Sequence, residues 1–146
     1  MDEIRPWLYI GKYQDTINKA YLESKNIQAM LQLAEKVKQP GITSLYLPVE
    51  DLEPIPSDLL RQGIDFILQE KGKGHRILVA CGAGINRSSA FCIVTLLETE
   101  GLSLMDAFKE VKSKHPESMP HQPVWESLCK YYGESVPYLD IMRAGI

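Results

Sequence analysis

Ile77-Leu78-Val79-Ala80-Cys81-Gly82-Ala83-Gly84-Ile85-Asn86-Arg87-Ser88-Ser89-Ala90-Phe91-Cys92-Ile93-Val94 sets the architecture of this chain. The run Ile77 to Ala80 is apolar without alternation, as a strand buried on both faces requires. Small residues follow, then an apolar pattern from Ala90 to Leu97 at helical spacing. Strand, tight loop and helix in that order make a cup for an anion from loop amides and the helix start. A thiol at the base of such a cup is in a setting that favours ionisation. Five residues separate Cys81 from Arg87. A thiolate facing a bound phosphate is a nucleophile for covalent phosphoryl transfer.

Outward from this stretch the elements alternate. Trp7 to Ile10 reads as a short strand ending at Gly11, and Ile27 to Leu33 as another. Ile17 to Leu22 carries a helical pattern, and Glu35 to Gly41 a loop. Ser44 to Val49 reads as a strand that Pro48 pushes to a sheet edge. Ser57 is placed to cap a helix bearing Leu59, Leu60, Ile64, Ile67 and Leu68 on one face. The helix after the cysteine ends near Gly101, and Ser103 with Asp106 opens the next in a capping-box relation. Pro116 stops that helix, and Pro123 takes a first helical position in the last one. The expected fold is α/β: one domain over residues 1–146, built on a central, mostly parallel sheet of four to five strands with helices on both faces. Residues 134–146 read either as a tail or as an element packed by Val136, Tyr138 and Leu139.

Composition bounds the function. The chain has 146 residues and a net charge of −3, with no basic surface suited to nucleic acid. No apolar run is long enough to span a bilayer, and the start carries no signal-peptide core. The expectation is a cytoplasmic monomer that needs no metal or other cofactor. Three cysteines, Cys81, Cys92 and Cys129, fit neither a zinc template nor a disulfide framework. Cys92 and Cys129 read as buried apolar residues.

The chemistry can be assigned to residue types. Gly82, Ala83 and Gly84 are small enough to wrap a tetrahedral anion, with the amides of Ile85, Asn86 and Arg87 completing the cup. The Arg87 guanidinium suits two phosphoryl oxygens at once. An acid for the leaving group must come from another loop. Asp51 is the best placed, between the strand at Leu45 to Val49 and the following helix, with Glu50 and Glu53 as rivals. Ser89 reads as a helix-start cap. His75, His115 and His121 read as surface residues, and Trp7 and Trp125 as core.

Cys81 to Arg87, followed by Ser88, resembles the Cys-x5-Arg phosphate loop of the protein tyrosine phosphatase superfamily, and of its small dual-specificity members in particular. The resemblance extends from Ile4 to Tyr132, and includes the opening Ile4-Arg5-Pro6-Trp7-Leu8-Tyr9-Ile10-Gly11. It implies a tyrosine-phosphatase-like fold and a phospho-cysteine intermediate on Cys81. It also implies that Ser88 donates to the sulfur and that Asp51 is the acid. Phosphotyrosine, with phosphoserine or phosphothreonine, on proteins or peptides is the implied substrate. Two positions depart from the pattern. Ala80 stands where the family carries a histidine that orients the loop, which implies slower turnover. His121 stands where the family carries an asparagine after Pro120. The competing readings are a non-catalytic phosphopeptide-binding module, motivated by Ala80, and a rhodanese-like sulfur transferase, whose loops are shorter and need no acid.

Overall fold

Five strands form one sheet in the computed structural model, which describes residues 1–145. They are β1 (Asp2–Arg5), β2 (Leu8–Lys12), β3 (Ile27–Gln32), β4 (Thr43–Tyr46) and β5 (Arg76–Cys81), in the order β1-β2-β5-β3-β4. Only β1 is antiparallel to its neighbour. The helices are α1 (Tyr13–Thr16), α2 (Lys19–Ser24), α3 (Ser57–Gly72), α4 (Arg87–Glu100), α5 (Leu104–Lys114), α6 (Gln122–Tyr132) and α7 (Tyr138–Ala144).

Strand β5 lies between β2 and β3, which explains its unbroken apolar run. Ile77, Leu78 and Val79 are all fully buried. Alternation along it feeds two cores. Ile77, Val79 and Cys81 join the large core with Phe91, Phe108 and Trp125. Leu78 and Ala80 join a small one with Tyr9, Leu22 and Met30, beneath α1 and α2. Helix α4 is the centre of the large core, buried continuously from Ser88 to Leu96 and in contact with α3, α5 and α6. Helix α3 approaches it closely at Gly63, where a Cβ would run into the Phe91 ring. This layering satisfies the α/β expectation of helices on both faces of a mostly parallel sheet.

Several local readings need correction. Strand β1 has only one buried apolar residue, Ile4, and its short polar sequence gave no strand signal. The helical pattern at Ile17 to Leu22 resolves into α1 and α2, with Ile17 half-exposed between them. Strand β4 stops at Tyr46; the Leu47 N–H still donates to the Gln32 carbonyl at 2.9 Å, and the chain then turns, with the Val49 N–H on the Leu47 carbonyl at 2.8 Å. Pro56, not Ser57, holds the N-cap position of α3, and no side chain caps it. Ser103 does cap α5, accepting the Asp106 amide at 3.1 Å.

Past Gly133 the chain packs back on the core. The Val136 carbonyl accepts the Trp125 indole N–H at 2.9 Å, and Ile141 of α7 is buried. Leu139 faces out, 52% exposed.

Candidate active site

The site lies where three parallel strands end together. Lys12 pairs with Cys81 in register, and Gln32 pairs with Ala80. At this carboxyl edge the backbone of β5 turns over residues 82–86 into α4. The turn is pinned from behind by its carbonyls. Gly82 O accepts Tyr13 N–H at 3.4 Å, and Ile85 O accepts Met119 N–H at 3.0 Å. Gly84 O accepts His115 Nε2 at 2.7 Å. Across a trans peptide the N–H points opposite to the C=O. Pinning these carbonyls to the scaffold therefore turns the amides of Ala83, Ile85 and Asn86 the other way. Gly84 makes this turn possible with φ +72, and a Cβ there would sit 3.0 Å from the Gly11 carbonyl oxygen.

Cys81 is almost wholly buried, with Sγ 3.1 Å from Ser88 Oγ and 3.5 Å from the Ser88 backbone N–H. Two donors at the start of α4 thus face the sulfur. Ser89 turns away, bonding the Ile85 carbonyl and Ser118 Oγ, so it braces the loop from behind. Burial pushes the Cys92 thiol well above its ordinary range, and the Cys129 thiol upward too. Cys92 is fully buried as read, whereas Cys129 is half-buried with its thiol toward the Val136 carbonyl at 3.7 Å, and all three cysteines are free thiols.

Arg87 divides its guanidinium. Nη1 donates to the carbonyls of Leu33 at 3.1 Å and Val49 at 3.0 Å, which uses both its hydrogens. Nε is buried and has no hydrogen-bond partner among the described residues. The edge formed by Nε and Nη2 is thereby left for something else. Val49 is also the first anchor of the acidic loop, and Ile55, whose N–H donates to Ser127 Oγ at 3.2 Å, is the second. Between them Asp51 reaches back, its Oδ1 2.7 Å from Asn86 Nδ2 and 3.6 Å from Arg87 Nε. Leu52 beside it holds φ +66, a conformation costly for a branched side chain, and is exposed. The carboxylates of Glu50 and Glu53 are exposed and make no hydrogen bond or ion pair among the described residues.

Two side chains matter in ways the sequence did not signal. His115 is not a surface residue. It is 4% exposed, with Nε2 on Gly84 O and Nδ1 2.5 Å from Asp2 and 3.3 Å from Glu117. These three form the only metal-like grouping among the described residues, and both ring nitrogens are already hydrogen-bonded. His115 acts as a strut for the loop. No local pattern could reveal it, because Asp2 lies 113 positions away. His121 is half-buried, and its backbone N–H donates to Asn86 Oδ1 at 2.7 Å. The turn at Pro120 and His121 therefore does hold the loop, through backbone in place of a side chain. A groove of about 850 Å³ lies beside α6, lined by Pro54 to Ser57 and by α6 residues, and Cys81 is not part of its lining.

Comparison with known proteins identifies the family. Residues 8–134 match the family model "Dual specificity phosphatase, catalytic domain". Human dual specificity protein phosphatase 5 is 31% identical over 139 residues, covering 92% of this chain and 36% of that protein's length. Dual specificity protein phosphatase 18 of Pongo abelii is 30% identical over 135 residues, covering 90% of this chain and 72% of that one. The structure of human tyrosine phosphatase-like serine/threonine/tyrosine-interacting protein superimposes with a TM-score of 0.82 at 26% identity, covering 91% of this chain and 95% of the other. The family match runs from the start of β2 to just past α6, taking in every strand that meets at the cysteine, and on that extent the chain belongs to the dual-specificity phosphatase catalytic-domain family.

Proposed function

We propose that this chain hydrolyses phosphotyrosine, and with it phosphoserine and phosphothreonine, on proteins or peptides through a phospho-cysteine intermediate. The observation that carries the reading is the free edge of Arg87. Its Nη1 is fixed to two carbonyls while its buried Nε has no hydrogen-bond partner among the described residues, on the loop that begins at Cys81. A buried donor without a hydrogen bond is costly, and an oxyanion seated closer than the Asp51 carboxylate at 3.6 Å relieves that cost. In the first step Cys81 Sγ attacks phosphorus, and the P–O bond breaks with its electron pair on the leaving oxygen. Asp51 gives that oxygen a proton. Nε and Nη2 of Arg87 hold two phosphoryl oxygens, and the amides of residues 82–87 surround the rest. In the second step Asp51 takes a proton from water, which attacks phosphorus and displaces the sulfur. Ser88 Oγ then stabilises the departing thiolate. The loop has no lysine, so it offers nothing extra to a more highly charged ester.

No helix among the described residues is long and apolar enough to cross a membrane. The proposed setting is the cytoplasm, with the protein a monomer. Three free thiols suit a reducing compartment.

A second reading has one observation behind it. Ala80 replaces the histidine of the family pattern, and its side chain lies in the small core with Tyr9 and Met30, where it offers the loop no hydrogen bond. A phosphate cup that turns over poorly would serve as a phosphopeptide-binding module. One similar structure is itself named a phosphatase-like interacting protein. Hydrolysis of p-nitrophenyl phosphate by reduced protein separates the two. The catalytic reading expects turnover that orthovanadate inhibits and that Cys81→Ser abolishes while inorganic phosphate still binds. Phosphopeptide binding with no turnover selects the second reading.

A further inference from the structure

The side-chain amide of Asn86 is held at both ends. Oδ1 accepts the His121 backbone N–H at 2.7 Å, and Nδ2 donates to Asp51 Oδ1 at 2.7 Å. A backbone N–H can only donate, so it settles which end of the amide is oxygen. The end toward Asp51 is then the NH2 group. Asn86 occupies the N-cap position of α4, where asparagine commonly serves the helix amides. Here its side chain makes no cap bond. It is 4% exposed and bridges the phosphate loop, the acidic loop and the turn before α6. Helix capping therefore does not account for it.

Both groups that face Asp51 Oδ1 are donors: Asn86 Nδ2 at 2.7 Å and Arg87 Nε at 3.6 Å. A proton on Oδ1 would meet hydrogens. Oδ2 has no partner among the described residues. We infer that Asn86 is a positioning residue that determines which oxygen of Asp51 carries the transferable proton, leaving Oδ2 as the acid. This rests on the reading of Asp51 as the acid. Once phosphoryl oxygens take Arg87 Nε, the Asn86 amide is the donor that stays on Oδ1. The proton passes from Oδ2 to the leaving oxygen as the P–O bond breaks, and Oδ2 recovers a proton from water in the second step. Asn86 itself neither gains nor loses one. The residue thus sets the acid from the phosphate loop's side, across to a segment that is exposed from Glu50 to Pro54.

Asn86→Asp tests this while keeping an acceptor for the His121 N–H. It removes the donor and sets a second carboxylate against Asp51. The readout is kcat on phenyl phosphate, a poor leaving group, and on 2,4-dinitrophenyl phosphate, a good one, with inorganic phosphate as competitor. Asn86→Asp is expected to slow the poor ester by at least about 10-fold and by no more than losing the acid does, about 10²–10⁴-fold. The loss on the good ester, which does not need the acid, should be at least about 10-fold smaller than the loss on the poor one; inorganic phosphate as competitor measures separately what the new carboxylate costs the cup. In an Asp51→Ala background it should leave the ratio between the two esters unchanged. Asn86→Ala, which also frees the His121 N–H, should show the same leaving-group split. Equal slowing of both esters, or a leaving-group split that survives removal of Asp51, overturns the inference and assigns Asn86 to the phosphate loop alone. If Asp51→Ala leaves phenyl phosphate hydrolysis intact, the acid reading fails and this inference with it. If Asp51→Ala is slow but Asn86→Asp is not, the inference fails alone.

Discussion

Asp51 and Glu50 are neighbours of the same chemical type, and only one can serve the loop. Asp51 Oδ1 reaches Asn86 and Arg87, whereas the Glu50 carboxylate is exposed and unpaired among the described residues. Asp51→Ala is expected to lower kcat on phenyl phosphate by about 10²–10⁴-fold, and Glu50→Ala to leave it near the parent value. Steady-state rates on purified variants check this, and the reverse ranking would move the acid to Glu50. Sequence context alone could separate Asp51 from Glu50 and Glu53 only by resemblance. Strand alternation was no help, because β4 ends at Tyr46. The contact that distinguishes the two carboxylates is the bond from Asn86 Nδ2 to Asp51 at 2.7 Å.

The strand–loop–helix unit was the most legible element. A run buried on both faces leaves no alternation to misread, and the helix that follows is buried on every side from Ser88 to Leu96 because it lies at the centre of the core. The loop between them depends on one backbone conformation. Gly84→Ala places a Cβ at φ +72 and 3.0 Å from the Gly11 carbonyl oxygen, so the loop and the end of β2 must shift apart by a few tenths of an ångström. The left-handed conformation alone costs roughly 1–2 kcal/mol. A urea melt should show a loss of at least that size, with weaker phosphate inhibition in the folded variant. Elements with little apolar content were hard to read for the opposite cause. Asp2 to Arg5 pairs as a strand because β2 offers it an edge, and Arg5 is tied to Glu100 at 2.7 Å and Glu110 at 2.9 Å on distant helices.

Across the molecule, Glu98 joins three helices. Its carboxylate accepts Arg61 Nη2 at 2.8 Å from α3 and the Tyr132 hydroxyl from α6. Burial pushes this carboxyl up, but the bonds from Arg61 and Tyr132 outweigh it and the net direction is down. Glu100, bonded to Arg5, and Glu70, bonded to Lys73 and His75, also lie below the usual range. Each binds its proton more weakly folded than unfolded. Their stabilisation is fully present above the unfolded carboxyl value of about 4.3 and is lost as pH falls through the lower folded value. Thermal melts between pH 7 and pH 3 should fall mainly below pH 5, and Glu98→Gln should flatten that fall. Equal pH slopes in parent and variant would remove Glu98 from the explanation. The segment after Gly133 is also part of the whole. Deleting it removes the acceptor of the Trp125 indole, the Glu134 carboxylate on the Leu104 N–H and the buried Ile141. Urea denaturation should report a loss of roughly 3–6 kcal/mol.

Local order along the chain was enough to read the buried strand, the glycine-bearing loop, the helix after it and the pair Cys81 and Arg87. Each is a consequence of neighbours in sequence, through periodicity and through the small side chains a tight turn needs. Folding added what neighbours cannot encode: His115 under Gly84, Asn86 between Asp51 and His121, and Arg87 shared between two carbonyls and a free edge. These contacts join residues 31 to 54 positions apart. Their partners are selected by where strand ends and helix starts converge in space, and a hydrogen bond of that range leaves no periodic trace in the sequence.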